Sequence, residues 1–305
     1  MNARRDLLII GGGAAGLAAA LYAARFKLNV ACIAKEFGGT GNIAHQVDNW
    51  IGEPGIAGWD LMQKFIAHVK SYDVPLVTGE VSSVEKTREG FTVHLASGET
   101  YETKLLLFSN GMVHRKLGIE GEESFAGRGV HYCYTCDGPL YKGKTLAIVG
   151  GSDSAALGTI FLSQYASKVY TIFRKKEMTA EPISVEKVKT LKNVELIPGA
   201  NVAAITGSAG HVTAVRLDTG RTLELDGIFV EIGHVPLNSL ALQLGVATDE
   251  HGYIKVTRAQ ETNIAGVFAA GDITDATDLK QFITSAAEGS VAAQTAYYRL
   301  QRMVS

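Results

Sequence analysis

The sequence is poor in cysteine and proline, and its charges nearly cancel. Its 3 cysteines are too few for the disulfide-stapled scaffold of a small secreted protein. Its formal net charge is -2, so it lacks the charge excess that would bind nucleic acid or an anionic membrane. Glycine is abundant instead, with 34 copies against 6 prolines. The glycines concentrate where helix-like stretches begin, which points to tight turns with a specific purpose.

One apolar stretch approaches the length of a membrane span. Leu7–Ala24 contains no charged residue, and Arg4 and Arg5 precede it, so a targeting segment is one alternative. However, three consecutive glycines, Gly11–Gly13, interrupt the stretch, and no small-residue cleavage site is evident. We therefore interpret it as a buried strand, a tight turn and a buried helix.

Two strand–helix–strand patterns predict an α/β fold. The 305 residues suffice for two domains, and short apolar runs that end in glycine are typical of parallel strands. The patterns occupy Asp6–Ile10, Ala14–Arg25 and Leu28–Ala34, and then Thr145–Val149, Ala155–Tyr165 and Lys168–Ile172. A strand at Gly266–Ala270 and a helix at Gln281–Arg299 follow near the C-terminus. We expect domain junctions near Gly111–Arg115 and Gly233–Asn238.

A glycine-rich turn links the first predicted strand to the first helix. Gly11, Gly13 and Gly16, with Ala14 and Ala15 between them, fit the dinucleotide fingerprint G-x-G-x-x-G. In that fingerprint the first glycine makes the turn, the second admits the pyrophosphate, and the third lets helix and strand pack closely. The N–H groups at the helix N-terminus then face the phosphates. The alternative is a glycine turn without a ligand.

Acidic residues complete the expected nucleotide site. Glu36, next to Lys35, follows the turn at about the 20-residue distance expected of a ribose-binding carboxylate, although a solvated loop charge is the alternative. Gly271 and Asp272 end an apolar strand and look like the second fingerprint of flavoproteins, where the aspartate meets the ribityl chain. A plain Gly-Asp turn is the alternative there. Together the two fingerprints favour FAD over NAD at the first site.

Cys133 and Cys136 form a C-x-x-C motif that Asp137 follows. Two thiols at this spacing can close and reopen a disulfide, and such motifs commonly lower a thiolate pKa. A zinc site, a structural disulfide and chance spacing are the alternatives; for zinc, His131 adds only a third ligand, and Cys32 lies in a predicted buried strand. Asp137 is either a general acid–base for the thiols or a turn-capping residue. We interpret the cysteine pair as redox-active.

Longer segments around these residues resemble low-molecular-weight thioredoxin reductases. The stretch 127–138, followed by 141–144, resembles their active-site region. The stretch 47–50, preceded by Glu36 and Gly38–Gly39, resembles their flavin-contacting loop. Gly271-Asp272 and Lys280-Gln281 resemble their C-terminal FAD segment. The likeness covers nearly the whole chain in the family's order.

The resemblance implies an architecture and a set of roles. It implies two Rossmann-like three-layer domains: an FAD domain from residues 1–112 and 238–305, and an NAD(P)H-type domain at 113–237 that carries the C-x-x-C and is inserted into the first. It also implies a homodimer whose inserted domains swing about the two junctions. Cys136 would lie against the flavin and receive its electrons, Cys133 would attack the partner disulfide, and Asp137 would handle protons. The implied FAD-binding residues are Gly11, Gly13, Ala14, Ala15, Gly16, Lys35, Glu36, Gly39, Thr40, Asn49, Val81, Gly111, Gly271, Asp272, Lys280 and Gln281.

The second glycine-rich turn departs from the family pattern. It reads Gly150, Gly151, Ser152, Asp153, Ser154, and Ser152 stands where the second glycine would admit the pyrophosphate. Basic residues that suit the 2′-phosphate of NADPH follow the next strand at Arg174, Lys175 and Lys176, although such a run is also typical of a solvated face. The family has a histidine before two arginines and a further arginine later, and Phe173 and Thr179 replace the first and last of these.

These observations predict a cytoplasmic enzyme that contains no metal. We expect it to pass electrons from NADPH through FAD and the Cys133–Cys136 dithiol to thioredoxin or a similar protein disulfide. The first alternative keeps this chemistry but takes electrons from reduced ferredoxin, as in the NADPH-independent relatives of the family. The second alternative, from another class, is a flavin-binding regulatory protein without turnover.

Overall fold

The structure is a computed structural model that describes residues 4–44, 47 and 49–304, the last without its side chain. Its strands are β1 (Arg5–Gly12), β2 (Val30–Phe37), β3 (Leu76–Thr78), β4 (Val81–Lys86), β5 (Phe91–Leu95), β6 (Thr100–Phe108), β7 (Met112–His114), β8 (Val130–His131), β9 (Thr145–Val149), β10 (Lys168–Phe173), β11 (Val194–Pro198), β12 (Val202–Ser208), β13 (His211–Leu217), β14 (Thr222–Glu224), β15 (Gly227–Val230), β16 (His234–Pro236) and β17 (Val267–Ala269). Its α-helices are α1 (Ala14–Arg25), α2 (Gly58–Lys70), α3 (Tyr134–Asp137), α4 (Asp153–Ser163), α5 (Pro182–Thr190), α6 (Ser239–Gln243) and α7 (Phe282–Val304). Two 3₁₀ helices occupy Gly39–Ile43 and Gly138–Tyr141.

The chain folds into two compact units. Unit 1 contains the residues up to Val113 and those from Pro236 onward, and unit 2 contains His114–Val235. The chain therefore passes between the units twice, through β7 and β16, and these two strands pair with each other. Each unit is described by itself below.

Unit 1 is built on a sheet with the strand order β3-β2-β1-β6-β5-β4, in which β17 also pairs with β6. The pairs among β1, β2, β3, β6 and β17 are parallel, whereas β4, β5 and β6 are antiparallel. The apolar run of β1 is buried on both faces, as expected of a central parallel strand. Leu7 and Ile9 pack with α1, α2 and α7, whereas Leu8 and Ile10 pack with side chains of β4, β5 and α6.

Unit 2 repeats the parallel arrangement on a smaller scale. Its five-stranded sheet has the order β11-β10-β9-β15-β8, and every pair in it is parallel. Ala147 and Val149 of β9 face a core that they share with the antiparallel strands β12, β13 and β14. Leu146 and Ile148 face the opposite core, with Phe161 and Leu162 of α4. The predicted α/β class with two Rossmann-like units is thereby confirmed.

The long apolar stretch near the N-terminus folds as the predicted strand, turn and helix. Strand β1 ends at Gly12 and α1 begins at Ala14. Within the described parts of the chain, no helix combines the length and apolarity that crossing a bilayer requires. Several predicted boundaries were wrong, among them the end of the last helix, which lies at Val304 rather than Arg299. Glu36 lies inside β2 rather than beyond its end, and α4 begins at Asp153 because Ser152 takes the N-cap position.

Close packing between α1 and α7 makes Gly289 sensitive to substitution. A Cβ at this position would lie 2.0 Å from the carbonyl oxygen of Ala15. Alanine is favoured over glycine by about 1 kcal/mol in a helix interior, but overpacking typically costs about 1–3 kcal/mol. We expect Gly289→Ala to lower the midpoint of urea unfolding, whereas Gln294→Ala, at an exposed position of the same helix, serves as the control. A stabilised Gly289→Ala variant would contradict the packing.

Candidate active site

The glycine-rich turn of unit 1 leaves one of its three glycines facing open space. Gly11 has a φ of 119°, and a Cβ there would lie 2.2 Å from the Ser109 carbonyl oxygen. A Cβ at Gly16 would lie 1.9 Å from the Gly11 carbonyl oxygen. Both glycines are therefore required by the fold itself. By contrast, a Cβ at Gly13 would meet no protein atom within 4 Å, so packing does not explain this glycine. A group that must approach the backbone closely, such as a pyrophosphate, does explain it.

The surroundings of this turn suit a dinucleotide. No side chain caps the N-terminus of α1, where Ala14 and Ala15 are buried, and uncapped N–H groups favour an anion. Next to the turn, the Oδ1 atom of Asn110 is buried without a hydrogen-bond partner. A buried acceptor of this kind requires a donor, which a bound ligand can supply. The residues present thus fit an FAD-type cofactor.

The two residues expected near the ribose, Lys35 and Glu36, are both exposed. Glu36 is exposed, and its carboxylate accepts a hydrogen bond from Asn42 at 2.9 Å. Lys35 forms an exposed ion pair with Glu80, which precedes Val81, the first residue of β4. A Cβ at Gly39 would lie 3.7 Å from the Cα of Gly13, so the 3₁₀ helix that contains Gly39 and Thr40 begins beside the turn.

The strand end at Gly271 and Asp272 is held by α7. The carboxylate of Glu288 accepts hydrogen bonds from the Gly271 N–H at 2.7 Å and from the Thr274 hydroxyl at 3.0 Å. Ser285 donates to Asp272 at 2.9 Å. Burial raises the pKa of Asp272, and the Ser285 hydrogen bond and the Lys280 charge oppose this shift. Asp272 is thereby fixed in position at the carboxyl end of β17, where cofactors bind in such sheets.

Two distant segments that were expected near the flavin meet in unit 1. The amide nitrogen of Asn49 donates to the side-chain oxygen of Gln281 at 3.0 Å. Asp48, which belongs to the same predicted loop, lies outside the described residues. Gly111 has a φ of 68°, and a Cβ there would meet no atom within 4 Å, so backbone conformation rather than crowding favours glycine at this position.

In unit 2, the two cysteines of the C-x-x-C motif form a disulfide across the start of α3. Cys133 is half-buried, whereas Cys136 is exposed. The N–H of Cys136 donates to the Cys133 sulfur at 3.2 Å, and the Thr135 hydroxyl lies 3.3 Å from the same sulfur. Both groups would stabilise a thiolate on Cys133 once the disulfide opens. This favours Cys133 as the attacking thiol.

Asp137 is paired with a histidine that lies two residues before the motif. Nδ1 of His131 is 3.0 Å from Oδ2 of Asp137, and Nε2 of His131 is 2.8 Å from the Tyr141 hydroxyl. His131 is only 7% exposed, so its ring is held inside unit 2. The described residues contain no group of three or more side chains that could hold a metal ion. His131 is instead fixed by hydrogen-bonding contacts on both ring nitrogens.

The glycine-rich turn of unit 2 has nearly the same backbone as that of unit 1. Ser152 has φ -92° and ψ -175°, and Gly13, at the equivalent N-cap position, has φ -79° and ψ -167°. Gly150 has a φ of 143°, and a Cβ there would lie 2.0 Å from the Glu231 carbonyl oxygen. Since the backbones match, the exposed Ser152 side chain projects where the first turn leaves a cradle open. Ser152 is therefore an obstacle to a closely bound pyrophosphate.

The basic segment after β10 is tied to this second turn. Arg174, Lys175 and Lys176 are all exposed. Beyond them, the N–H of Thr179 donates to the Gly151 carbonyl oxygen at 2.6 Å. The N–H of Glu181 donates to the Asp153 carboxylate at 2.6 Å, next to half-buried Ser154. Position 179, where the family places an arginine, is thus occupied by a residue that binds the turn itself.

A carboxyl group is buried in unit 2 at the end of β15. Glu231 is 3% exposed, and burial raises its pKa from 4.5 to about 8. It influences Tyr134 within the C-x-x-C motif, where burial and then the Glu231 charge raise the tyrosine pKa to about 12. Glu231 is therefore largely protonated at neutral pH.

Comparison with known proteins places the chain in a family. Residues 5–296 match the family model described as pyridine nucleotide-disulphide oxidoreductase. The chain belongs to the pyridine nucleotide-disulphide oxidoreductase family. Membership in this family and the Cys133–Cys136 disulfide both indicate disulfide redox chemistry.

Several thioredoxin reductases are similar to the chain over almost their full length. The chain is 36% identical over 297 residues to the thioredoxin reductase of Listeria innocua, which covers 95% of this chain and 92% of that protein. The crystal structure of T. acidophilum thioredoxin reductase is similar with a TM-score of 0.92 and 35% identity, over 98% of this chain and 99% of that one. A ferredoxin-flavin thioredoxin reductase from Clostridium acetobutylicum has a TM-score of 0.54 and 34% identity, over 98% of this chain and 99% of that one. The predicted likeness to thioredoxin reductases is confirmed.

Sequence reasoning missed several residues that the fold brings to these sites. Ser285 and Glu288 lie on one face of α7. Glu231 follows β15, far along the chain from the C-x-x-C motif, in which burial and then the Glu231 charge raise the pKa of Tyr134. Their spacing carries no motif, so only the packed structure connects them. His131 was considered as a metal ligand alone, since nothing in the sequence links it to Tyr141.

The buried carboxyl of Glu231 predicts a pH-dependent stability. The group ionises near 4.5 in the unfolded chain and near 8 in the folded one, so between these values the unfolded chain binds fewer protons and stability falls as pH rises. Glu231→Gln removes this loss and should raise the Tm relative to the wild type more at about pH 9 than at about pH 4. Glu224→Gln, at an exposed position of the same unit, is the control. An equal Tm difference at both pH values would contradict the raised pKa.

Proposed function

We propose that this family member is an FAD-dependent reductase of thioredoxin or a similar protein disulfide. The observation that carries the proposal is the Cys133–Cys136 disulfide at the start of α3, in a chain whose other unit has a turn and strand end suited to a dinucleotide. Full-length similarity to the Listeria innocua and T. acidophilum thioredoxin reductases supports it. Cytoplasmic location and a homodimer are parts of the same proposal.

Unit 1 is the proposed FAD-binding part. The open turn at Gly13 and the uncapped α1 N-terminus would hold the pyrophosphate, Glu36 the ribose, and Asp272 the ribityl chain. Thr40 and the Asn49–Gln281 pair would lie near the ring. When bound, the flavin supplies two-electron chemistry that protein side chains lack. The domain limits 1–112, 113–237 and 238–305 remain our assignment of these roles along the chain.

The thiol chemistry follows from the geometry of the motif. In the dithiol state, the Cys133 thiolate attacks a sulfur of the partner disulfide and forms a mixed disulfide. Cys136 then attacks the Cys133 sulfur, re-forms the intramolecular disulfide and releases the reduced partner. Asp137 would serve as the general acid–base for the sulfurs. The Cys136 N–H and Thr135 hydroxyl around the Cys133 sulfur support this order of attack.

We propose NADPH as the electron donor, with Arg174, Lys175 and Lys176 as the 2′-phosphate contacts in unit 2. A second candidate, reduced ferredoxin, is favoured by the Ser152 side chain and by the contacts of Thr179 and Glu181 with the turn. The similarity to the Clostridium acetobutylicum ferredoxin-flavin thioredoxin reductase agrees with this second candidate. The two donors leave the flavin and dithiol chemistry unchanged.

Removal of one active-site sulfur tests the proposed chemistry. Cys136→Ser should retain bound flavin but lose steady-state reduction of thioredoxin, because the mixed disulfide on Cys133 cannot be resolved. Flavin absorbance and insulin-coupled thioredoxin reduction measure the two properties. Cys32→Ala is the matched control, since Cys32 is buried in unit 1 and lies outside the motif. Full turnover in Cys136→Ser, or a flavin-loaded wild type that reduces no protein disulfide, would defeat the proposal; the latter outcome would favour a regulatory role.

Variants of Ser152 test the electron donor. Anaerobic mixing with NADPH should bleach the flavin absorbance if NADPH is the donor, and an unchanged spectrum would favour reduced ferredoxin. Ser152→Gly should lower the Kd for NADPH about tenfold, since relief of even about 1.4 kcal/mol of obstruction has this effect. Ser152→Ala is the matched control because it removes the hydroxyl and keeps the Cβ. Equal gains in both variants would show that the Cβ is not the obstacle.

A further inference from the structure

The Asp137 carboxylate presents its two oxygens to different surroundings. Oδ2 lies 3.0 Å from Nδ1 of His131, while the Asp137 side chain as a whole is still 32% exposed. One carboxylate oxygen is thus engaged by the buried imidazole. The backbone N–H of Asp137 bonds to the carbonyl of Cys133, which fixes the residue to the motif.

The far side of the imidazole is fixed by Tyr141. The His131 ring stacks on Phe229 at 5.3 Å between centroids, and its Nε2 lies 2.8 Å from the Tyr141 hydroxyl. Burial, and then the charges of Asp137 and Asp226, raise the pKa of Tyr141, so its phenol remains a hydrogen-bond donor. A phenol that donates to Nε2 leaves the imidazole proton on Nδ1, where it points to Asp137.

The titratable groups packed against this chain of hydrogen bonds are few. Asp137 contributes from α3 and Tyr141 from the 3₁₀ helix that follows it. Asp226, which precedes β15, acts on Tyr141 and pairs with Lys144 at 3.2 Å. The strand behind the ring contributes the apolar Phe229. The imidazole is therefore oriented by two hydrogen-bonding partners and by its stacking on Phe229.

We propose that His131 is a positioning residue that holds Asp137 ready to exchange protons with the sulfurs, which deepens the proposed function and rests on it. The Nδ1–H donates to Oδ2 and holds the carboxylate in one orientation, so that its other oxygen can exchange protons with the sulfurs.

The thiol–disulfide exchange balances in bonds, protons and charge. The Cys133 thiolate attacks the partner disulfide, a sulfur–sulfur bond forms on Cys133, and the partner's own bond breaks. The Asp137 carboxylate takes the proton of the Cys136 thiol and passes it to the departing partner thiolate, so the carboxylate is restored. The Cys136 thiolate then attacks Cys133, which breaks the mixed disulfide and releases the second partner sulfur as a thiolate. The single negative charge thus passes from Cys133 to the product.

The leaving group of the substrate separates this role from simple packing. An alkyl thiolate, as in oxidised thioredoxin, needs a proton as it departs, whereas the thiolate of dithiobis(nitrobenzoate) departs readily without one. A merely structural role of His131 would alter the reduction of both substrates equally. A role through Asp137 would alter only the reduction of oxidised thioredoxin.

The test compares single-turnover rates of the flavin-loaded, dithionite-reduced protein with these two substrates. His131→Leu should slow the reduction of thioredoxin at least about tenfold and change the aromatic disulfide rate less than about twofold. The loss stays below the roughly hundredfold or more expected for removal of the acid–base group itself, because Asp137 is still present. His131→Asn should recover part of the loss, because its amide can donate to Asp137 in place of Nδ1. His211→Asn, at an exposed position of β13, is the matched control.

Each outcome has a defined meaning. Equal losses with both substrates, or no loss with either, would overturn the role of His131. If His131→Leu binds less flavin than the wild type, Tyr141→Phe carries the test, since it removes the bond to Nε2 and keeps the ring; it should slow thioredoxin reduction selectively. A wild type that reduces neither substrate would instead contradict the proposed function itself.

Discussion

Both units depend on the close approach of a helix N-terminus to the end of a parallel strand. In unit 1, side chains at Gly11 or Gly16 would overlap backbone oxygens at about 2 Å, so glycine is required for the fold to close there. In unit 2, Gly150 is constrained in the same way by the Glu231 carbonyl. This packing leaves the N–H groups at both helix starts without a side-chain cap, which favours an anion there. In unit 2 the strand end beside Gly150 also carries the buried Glu231.

The difference between the two turns concerns the ligand and not the fold. Gly13 and Ser152 have nearly equal backbone angles, both in a region that any residue can adopt, so serine costs unit 2 no backbone strain. The substitution changes only what can approach the turn. The contact of Thr179 with Gly151 acts in the same direction, since it satisfies a backbone oxygen of the turn from within the chain. In the proposed function, the choice of electron donor depends on a few atoms around a turn geometry that the two units share.

Local patterns account for what could be predicted from the sequence, and tertiary contacts account for what could not. The glycine turns, the C-x-x-C motif and the bounds of α1 are local, because strand–turn–helix chemistry acts over a few residues. Even the obstacle at Ser152 was visible as a departure from a short motif. The contact of His131 with Tyr141, and the hold of Glu288 on Gly271, depend on which faces pack together. No spacing rule predicts such contacts. The predicted end of β2 came before Glu36 because a strand extends as far as it pairs with its neighbours, and the sequence does not show this pairing.

The central claim is that a flavin-type site and a dithiol in one chain form a single electron path. Anaerobic titration of the flavin-loaded protein with dithionite, followed by flavin absorbance and by thiol counting, tests it most directly. The account predicts uptake of two electron pairs per chain, one for the flavin and one for the Cys133–Cys136 disulfide, and only one pair when both cysteines are serine. A protein that remains colourless after incubation with FAD, or a wild type that takes up a single pair, would contradict it.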